Sequence, residues 1–113
     1  MPFINVKTNS EKANEVKEQL KAELGQAITA IPGKSEGWLM VNIEEPSAMW
    51  FKGDSSPCAM FDVSVFGGAS DSAYNDLTKK ICALSEKYLG VSASRTYVKY
   101  TEYEQWGWNN MNF

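Results

Sequence analysis

The sequence predicts an α/β domain (α+β by some schemes), built as two βαβ units that form a four-stranded mixed sheet with two helices on one face. Three observations predict it. Glu11–Ile31 and Asp71–Leu89 each carry apolar residues at steps of three and four, the spacing of a helix with one buried face. Each helix lies between β-like runs: Phe3–Val6 and Trp38–Ile43 around the first, Ala59–Phe66 and Arg95–Thr101 around the second. Crossovers between parallel strands are almost always right-handed, which brings both helices to the same side of the sheet. The length of 113 residues fits one domain spanning residues 1–113.

Each element has its own signal. Phe3-Ile4-Asn5-Val6 reads as a strand that stops at Thr8-Asn9-Ser10, where Asn9 or Ser10 is placed to cap the next helix. Ala13, Val16, Leu20, Leu24, Ala27, Ile28 and Ile31 form that helix's inward stripe, and Lys12, Lys17, Glu18 and Lys21 its solvated side. Pro32-Gly33 ends it, since proline cannot continue a helix and glycine accepts a left-handed backbone. Trp38-Leu39-Met40-Val41-Asn42-Ile43 is almost continuously apolar, which predicts a strand covered on both faces. After the turn Glu44–Ser47, Met49–Lys52 reads as a short hairpin return and Gly53–Pro57 as a loop. In Ala59–Phe66 the residues Ala59, Phe61, Val63 and Val65 alternate with Met60, Asp62, Ser64 and Phe66, the two-residue period of a strand, and Gly67-Gly68 breaks it. Tyr74, Leu77, Ile81, Leu84 and Tyr88 stripe the second helix, with Ser70 or Asp71 at its start. The two halves share an architecture without enough identity to read as a repeat. Helices cover one sheet face only. The apolar content of Trp38–Ile43, with Trp50, Trp106 and Trp108 unplaced, predicts an oligomer over the other.

Composition narrows the chemistry. Hydrophobic residues at 43% and charged residues at 22% describe a folded chain rather than a disordered one. Eleven Lys and Arg against 14 Asp and Glu give a net charge of −3, with no basic run to bind nucleic acid or an anionic membrane. There is no histidine, which excludes Ser-His-Asp and Cys-His catalysis and most zinc sites, so no zinc site is expected. Cys58 and Cys82 read as reduced, buried thiols. The first residues lack the basic lead and long apolar region of a signal peptide, and no stretch reaches the roughly 20 apolar residues of a membrane span, so a cytoplasmic protein is expected.

A base must therefore come from elsewhere. Methionine is usually removed before a small second residue, which would leave Pro2 as a terminal secondary amine. An α-amino group has an ordinary pKa of roughly 7.7–8.0, and burial or a nearby cation lowers it toward that of a neutral-pH base. The competing reading of Pro2 is simply the start of an edge strand. Lys34, just after Pro32-Gly33, has two uses as well: a point charge for a substrate carboxylate, or a cation favoured near a helix C-terminus. Tyr97 and Lys99 share one face of a strand, where a phenol and an ammonium converge on one ligand or simply pack.

Taken in order, Pro2-Phe3-Ile4-Asn5-Val6-Lys7-Thr8-Asn9, Gly33-Lys34, Ser55-Ser56-Pro57-Cys58-Ala59-Met60, Phe66-Gly67-Gly68, Arg95-Thr96-Tyr97-Val98 and Gly107-Trp108-Asn109-Asn110 carry a resemblance along the whole chain. The sequence resembles the macrophage migration inhibitory factor family of the tautomerase superfamily. That resemblance implies the tautomerase fold and a homotrimer, three four-stranded sheets forming a central barrel with the helices outside. It implies active sites between subunits, cofactor-free, with Pro2 as the catalytic base and Lys34 on the carboxylate of a small 2-oxo acid. Phe66 would contribute its backbone amide and Tyr97 would reach across the interface. Trp108 and Phe113 would be aromatic walls, with Phe3 beside the base. Where the family commonly has asparagine this chain has Lys99, a cation that would grip a carboxylate, depress the Pro2 amine, or point away. The second thiol of the animal Cys-x-x-Cys is replaced in Cys58-Ala59-Met60-Phe61, which removes the basis for thiol–disulfide exchange. The implied activity is keto–enol tautomerisation of phenylpyruvate-like acids. The alternative is a cytokine-like or host-interaction ligand meeting a receptor protein, exported without a leader. Hydration or dehalogenation of unsaturated acids ranks last, because relatives of that kind use several arginines and Arg95 is the sole one here.

Overall fold

A computed structural model describes residues 1–113. Its central sheet has the order β2-β1-β3-β4, formed by β1 (Pro2–Thr8), β2 (Met40–Ile43), β3 (Ala59–Phe66) and β4 (Thr96–Tyr103). β1 pairs parallel with β2 and antiparallel with β3, and β3 pairs parallel with β4, so the sheet is mixed and each βαβ crossover joins parallel neighbours. Helices α1 (Ala13–Ala27) and α2 (Asp71–Leu84) cover one face. β3 occupies the predicted residues, and its four predicted inward residues are all buried. Ile4 and Val6 of β1, Phe61 and Val63 of β3, Leu20 and Leu24 of α1 and Leu77 and Ile81 of α2 are fully buried in one 17-residue core. Area removed from water on this scale is the main favourable term for folding.

Both α-helices stop short of the ends expected from the sequence, Ile31 and Leu89, and finish in turns of a different winding. Ser70 caps α2, its hydroxyl accepting from the Ala73 N–H at 3.1 Å. Beyond Leu84 the backbone widens into a π turn, Ser85–Leu89, where the buried Ser85 hydroxyl bonds that of Thr96 at 2.9 Å, and Gly90 at φ +66° closes the element. α1 passes into a 3₁₀ turn, Ile28–Ala30, and then a tight turn with Pro32 and Gly33 (φ +82°) at its centre, the Lys34 N–H donating to the Ile31 carbonyl.

Four expectations are corrected. Neither Asn9 nor Ser10 caps α1, whose first residue follows Lys12 with no side-chain cap. Ser10 instead donates to the Leu89 carbonyl at 2.6 Å, and the Asn9 amide donates to the carbonyls of Met49, Ser55 and Ser56 while its oxygen accepts from the Cys58 N–H. Trp38–Ile43 is not a doubly covered strand: only Met40–Ile43 pairs, at a sheet edge, with Met40 and Asn42 exposed. Met49–Lys52 forms no hairpin with β2; a single bridge, Phe51 to Asp54, closes a turn in which Lys52 and Gly53 have positive φ. Nor is the uncovered sheet face uniformly apolar. Asn42, Asn5, Asp62 and Lys99 fall on one register row across it, with Asn42 bonded to Asn5 at 2.7 Å and Lys99 paired to Asp62 at 3.4 Å.

The tail, which carried no structural expectation, is a second small sheet. β5 (Gly107–Trp108) and β6 (Met111–Asn112) pair antiparallel across Asn109 and Asn110, both at positive φ. Two left-handed residues are what a two-residue hairpin of matching twist requires, and asparagine tolerates them.

Candidate active site

The start of β1, the turn after α1, the end of β3 and the tail hairpin meet at one end of the sheet. Pro2 is buried there, opposite Val65 in the β1–β3 register. In the full chain its nitrogen is the Met1–Pro2 amide. The Phe66 N–H donates to the Met1 carbonyl at 3.0 Å, and the Lys34 ammonium donates to the Phe66 carbonyl at 3.0 Å. Lys34 is half-buried and held by a main-chain carbonyl at the end of β3, a partner that neither of its two sequence readings named. The Met1 α-amine lies beside it: burial first, then the charge of Lys34 and a hydrogen bond to it, lower that amine from 8.0 to about 6.

A cavity of about 500 Å³ opens at Pro2, with Phe3, Trp38, Met40, Trp106 and Trp108 among its walls. That is a ligand-sized volume. From its walls a connected aromatic set extends outward. Trp38 meets Trp108 edge to face at 5.0 Å, Trp108 stacks on Phe113 at 6.2 Å with planes 8° apart, and Phe113 lies 5.6 Å from Phe66. Trp38, Trp108 and Phe113 remain about half exposed, a costly way to leave aromatic surface unless something covers it. A second cavity, of about 480 Å³, shares Phe3, Met40 and Trp106 and runs onto the open sheet face toward Tyr103.

Six of the residues singled out in the sequence are thus brought together: Pro2, Phe3, Lys34, Phe66, Trp108 and Phe113. Tyr97 and Lys99 are not. Tyr97 pairs in register with Met60, five residues along β3 from the Val65 that faces Pro2, roughly 17 Å at about 3.3 Å per residue. It is exposed and rests edge to face on Phe51 at 4.9 Å. Lys99 lies on the same exposed face and is held by Asp62 of its own chain. No site within one chain uses either with Pro2.

Trp38 belongs to the site and was assigned to a strand in the sequence. Gly37 beside it was the available signal of a turn, and a short 3₁₀ turn, Glu36–Trp38, places the indole over the cavity. Arg95 is committed elsewhere. Its guanidinium donates to the carbonyls of Pro57 and Ser56 at 2.9 Å, pairs with Asp54 at 3.0 Å and lies 5.1 Å from the Phe51 ring centre. The Ser56 N–H, donating to Asp54, is the main cause holding that carboxyl below its ordinary range.

Comparison with known proteins follows the same lines. The profile of the family described as macrophage migration inhibitory factor matches residues 1–112. The Xenopus laevis macrophage migration inhibitory factor is 25% identical over all of this chain and 99% of its own length. The D-dopachrome decarboxylase-B of the same frog is 26% identical over 94% of this chain and 90% of its own. The crystal structure of Leishmania major MIF2 superposes with a TM-score of 0.91 at 28% identity, covering 100% of this chain and 97% of that one. With the fold, the buried proline and the aromatic cavity all in place, the chain belongs to the macrophage migration inhibitory factor family of the tautomerase superfamily.

Proposed function

We propose that the protein is a cofactor-independent keto–enol tautomerase of aromatic 2-oxo acids, phenylpyruvate being the natural test, and that Pro2, freed by removal of Met1, is its base. One observation carries the reading: a buried Pro2 at the mouth of an aromatic cavity, with the Lys34 ammonium at the same end. Losing Met1 converts the Pro2 amide into a secondary amine. It also frees the Phe66 N–H from the Met1 carbonyl, leaving a donor aimed at the vacated space. Burial and the Lys34 charge, which lower the Met1 amine, are the conditions this reading requires of the freed Pro2 amine.

In the reaction, neutral Pro2 takes a proton from the carbon beside the ketone. The electron pair of that C–H bond becomes the C=C bond of an enolate, and the protonated proline returns the proton to the oxygen; ketonisation is the reverse. Lys34 and the Phe66 N–H hold the substrate carboxylate, while Trp38, Trp108 and Phe113 receive the aromatic ring. A homotrimer completes the site, Tyr97 of a neighbouring subunit and, beside it, Lys99 stabilising the enolate oxygen. Arg95 is bound to its own loop, which leaves no arginine for hydration or dehalogenation of unsaturated acids.

The decisive experiment is the mass of the mature amino terminus together with phenylpyruvate tautomerase rates of wild type and Pro2→Gly. Loss of a positioned base should lower kcat/KM by roughly 10²–10⁴. Equal rates would end the proposal.

A further inference from the structure

The turn at Phe66–Ala69 supplies the Phe66 carbonyl that holds Lys34 and the Phe66 N–H directed at the start of β1. A turn with two consecutive glycines has no side chains there with which to fix itself. The fastening comes from β4 and α2. The Gly67 N–H donates to the Tyr103 carbonyl at 2.9 Å. One carboxylate oxygen of Glu102 accepts from the Tyr74 hydroxyl at 2.6 Å and from the Ala69 N–H at 3.4 Å. Gly68 packs so close that a Cβ there would lie 2.6 Å from that same oxygen. Tyr74 is held in turn: its ring lies 4.5 Å from that of Tyr100, whose hydroxyl bonds Thr78 and donates to the Tyr74 carbonyl. Burial, followed by the hydrogen bond to Glu102, pushes the Tyr74 phenol up to about 12, so it remains a donor at neutral pH.

We infer that Glu102, oriented by Tyr74, is a positioning residue for carboxylate-bearing substrates: it fixes the Gly67–Ala69 turn and, through Phe66, the aim of Lys34. The inference rests on the reading of Lys34 as the carboxylate-binding group. Glu102 touches no substrate, so its effect falls on the grip of the carboxylate and not on proton transfer.

The test compares wild type, Glu102→Ala, Glu102→Gln, Tyr74→Phe and Lys34→Ala, all beginning at Pro2. It reads kcat and KM for phenylpyruvate, binding of a carboxylate-free aromatic ketone, and amide hydrogen exchange at Ala69. Glu102→Ala should raise KM about five- to tenfold with kcat within about twofold, spare the neutral ketone and speed Ala69 exchange. Glu102→Gln keeps an oxygen acceptor for Tyr74 and should restore most of the KM, with Tyr74→Phe in between. Unchanged Ala69 exchange in Glu102→Ala overturns the fastening itself. Unchanged KM there, with a raised KM in Lys34→Ala, overturns the positioning role and leaves the reading of Lys34 intact. Silence in both variants removes the carboxylate reading and the inference with it. Equal loss of both ligands with a lower melting temperature also overturns it, in favour of a purely architectural role.

Discussion

A chain without histidine offers an unusually clean view of one amine. While Met1 is retained, its α-amine is the group whose pKa lies in the neutral range, lowered from 8.0 to about 6 by burial and then by Lys34. Between those values the unfolded chain binds a proton that the folded chain does not, so stability rises with pH across that window. Calorimetry of the Met1-retaining chain should show the melting temperature climbing from pH 6 to 8, with a shallower climb in Lys34→Ala; a flat profile would mean the amine is solvated. Lys34 was legible beside the break at Pro32-Gly33 and Pro2 as an amine that removal of Met1 would expose, whereas Phe66 came from the family resemblance alone. The pairing of Lys99 was not legible. Its partner Asp62 sits on the adjacent strand, 37 positions away in sequence, and only the β3–β4 register brings them together.

Among the elements, β3 and the two helices were legible because their apolar periods are long and regular. The failures have separate causes. A continuous apolar run does not distinguish a covered strand from a turn followed by an edge strand, which is why Trp38 was misplaced. Caps depend on which competing partner a hydroxyl or amide finds, and Ser10 and Asn9 find distant carbonyls. The contrast is measurable. Ser70→Ala should cost about 1 kcal/mol in urea unfolding through the lost cap of α2. Phe61→Ala, a fully buried ring removed from the middle of β3, should cost about 3–5 kcal/mol. The tail hairpin was legible in principle, since Asn109-Asn110 suits a two-residue turn, but strands of two residues have no period to read.

The whole molecule leaves two things open: one face of its sheet, and both sheet edges, β2 and β4. The polar row across that face fits a lining in contact with water better than a dry seam, which departs from the apolar face expected from the sequence. In the proposed trimer each site draws Pro2 from one chain and Tyr97 from another. Sedimentation should give three times 12.6 kDa. Mixing equal amounts of Pro2→Gly and Tyr97→Ala subunits should regenerate about a quarter of the sites under random assortment; an inactive mixture would mean that Pro2 and Tyr97 do not come from different chains, and full activity of Tyr97→Ala alone would place Tyr97 outside the reaction. The free edges bear on how such an assembly is made. A newly folded copy offers its unpaired backbone groups to any extended peptide it meets as readily as to a sibling, so local abundance during synthesis decides which encounter comes first.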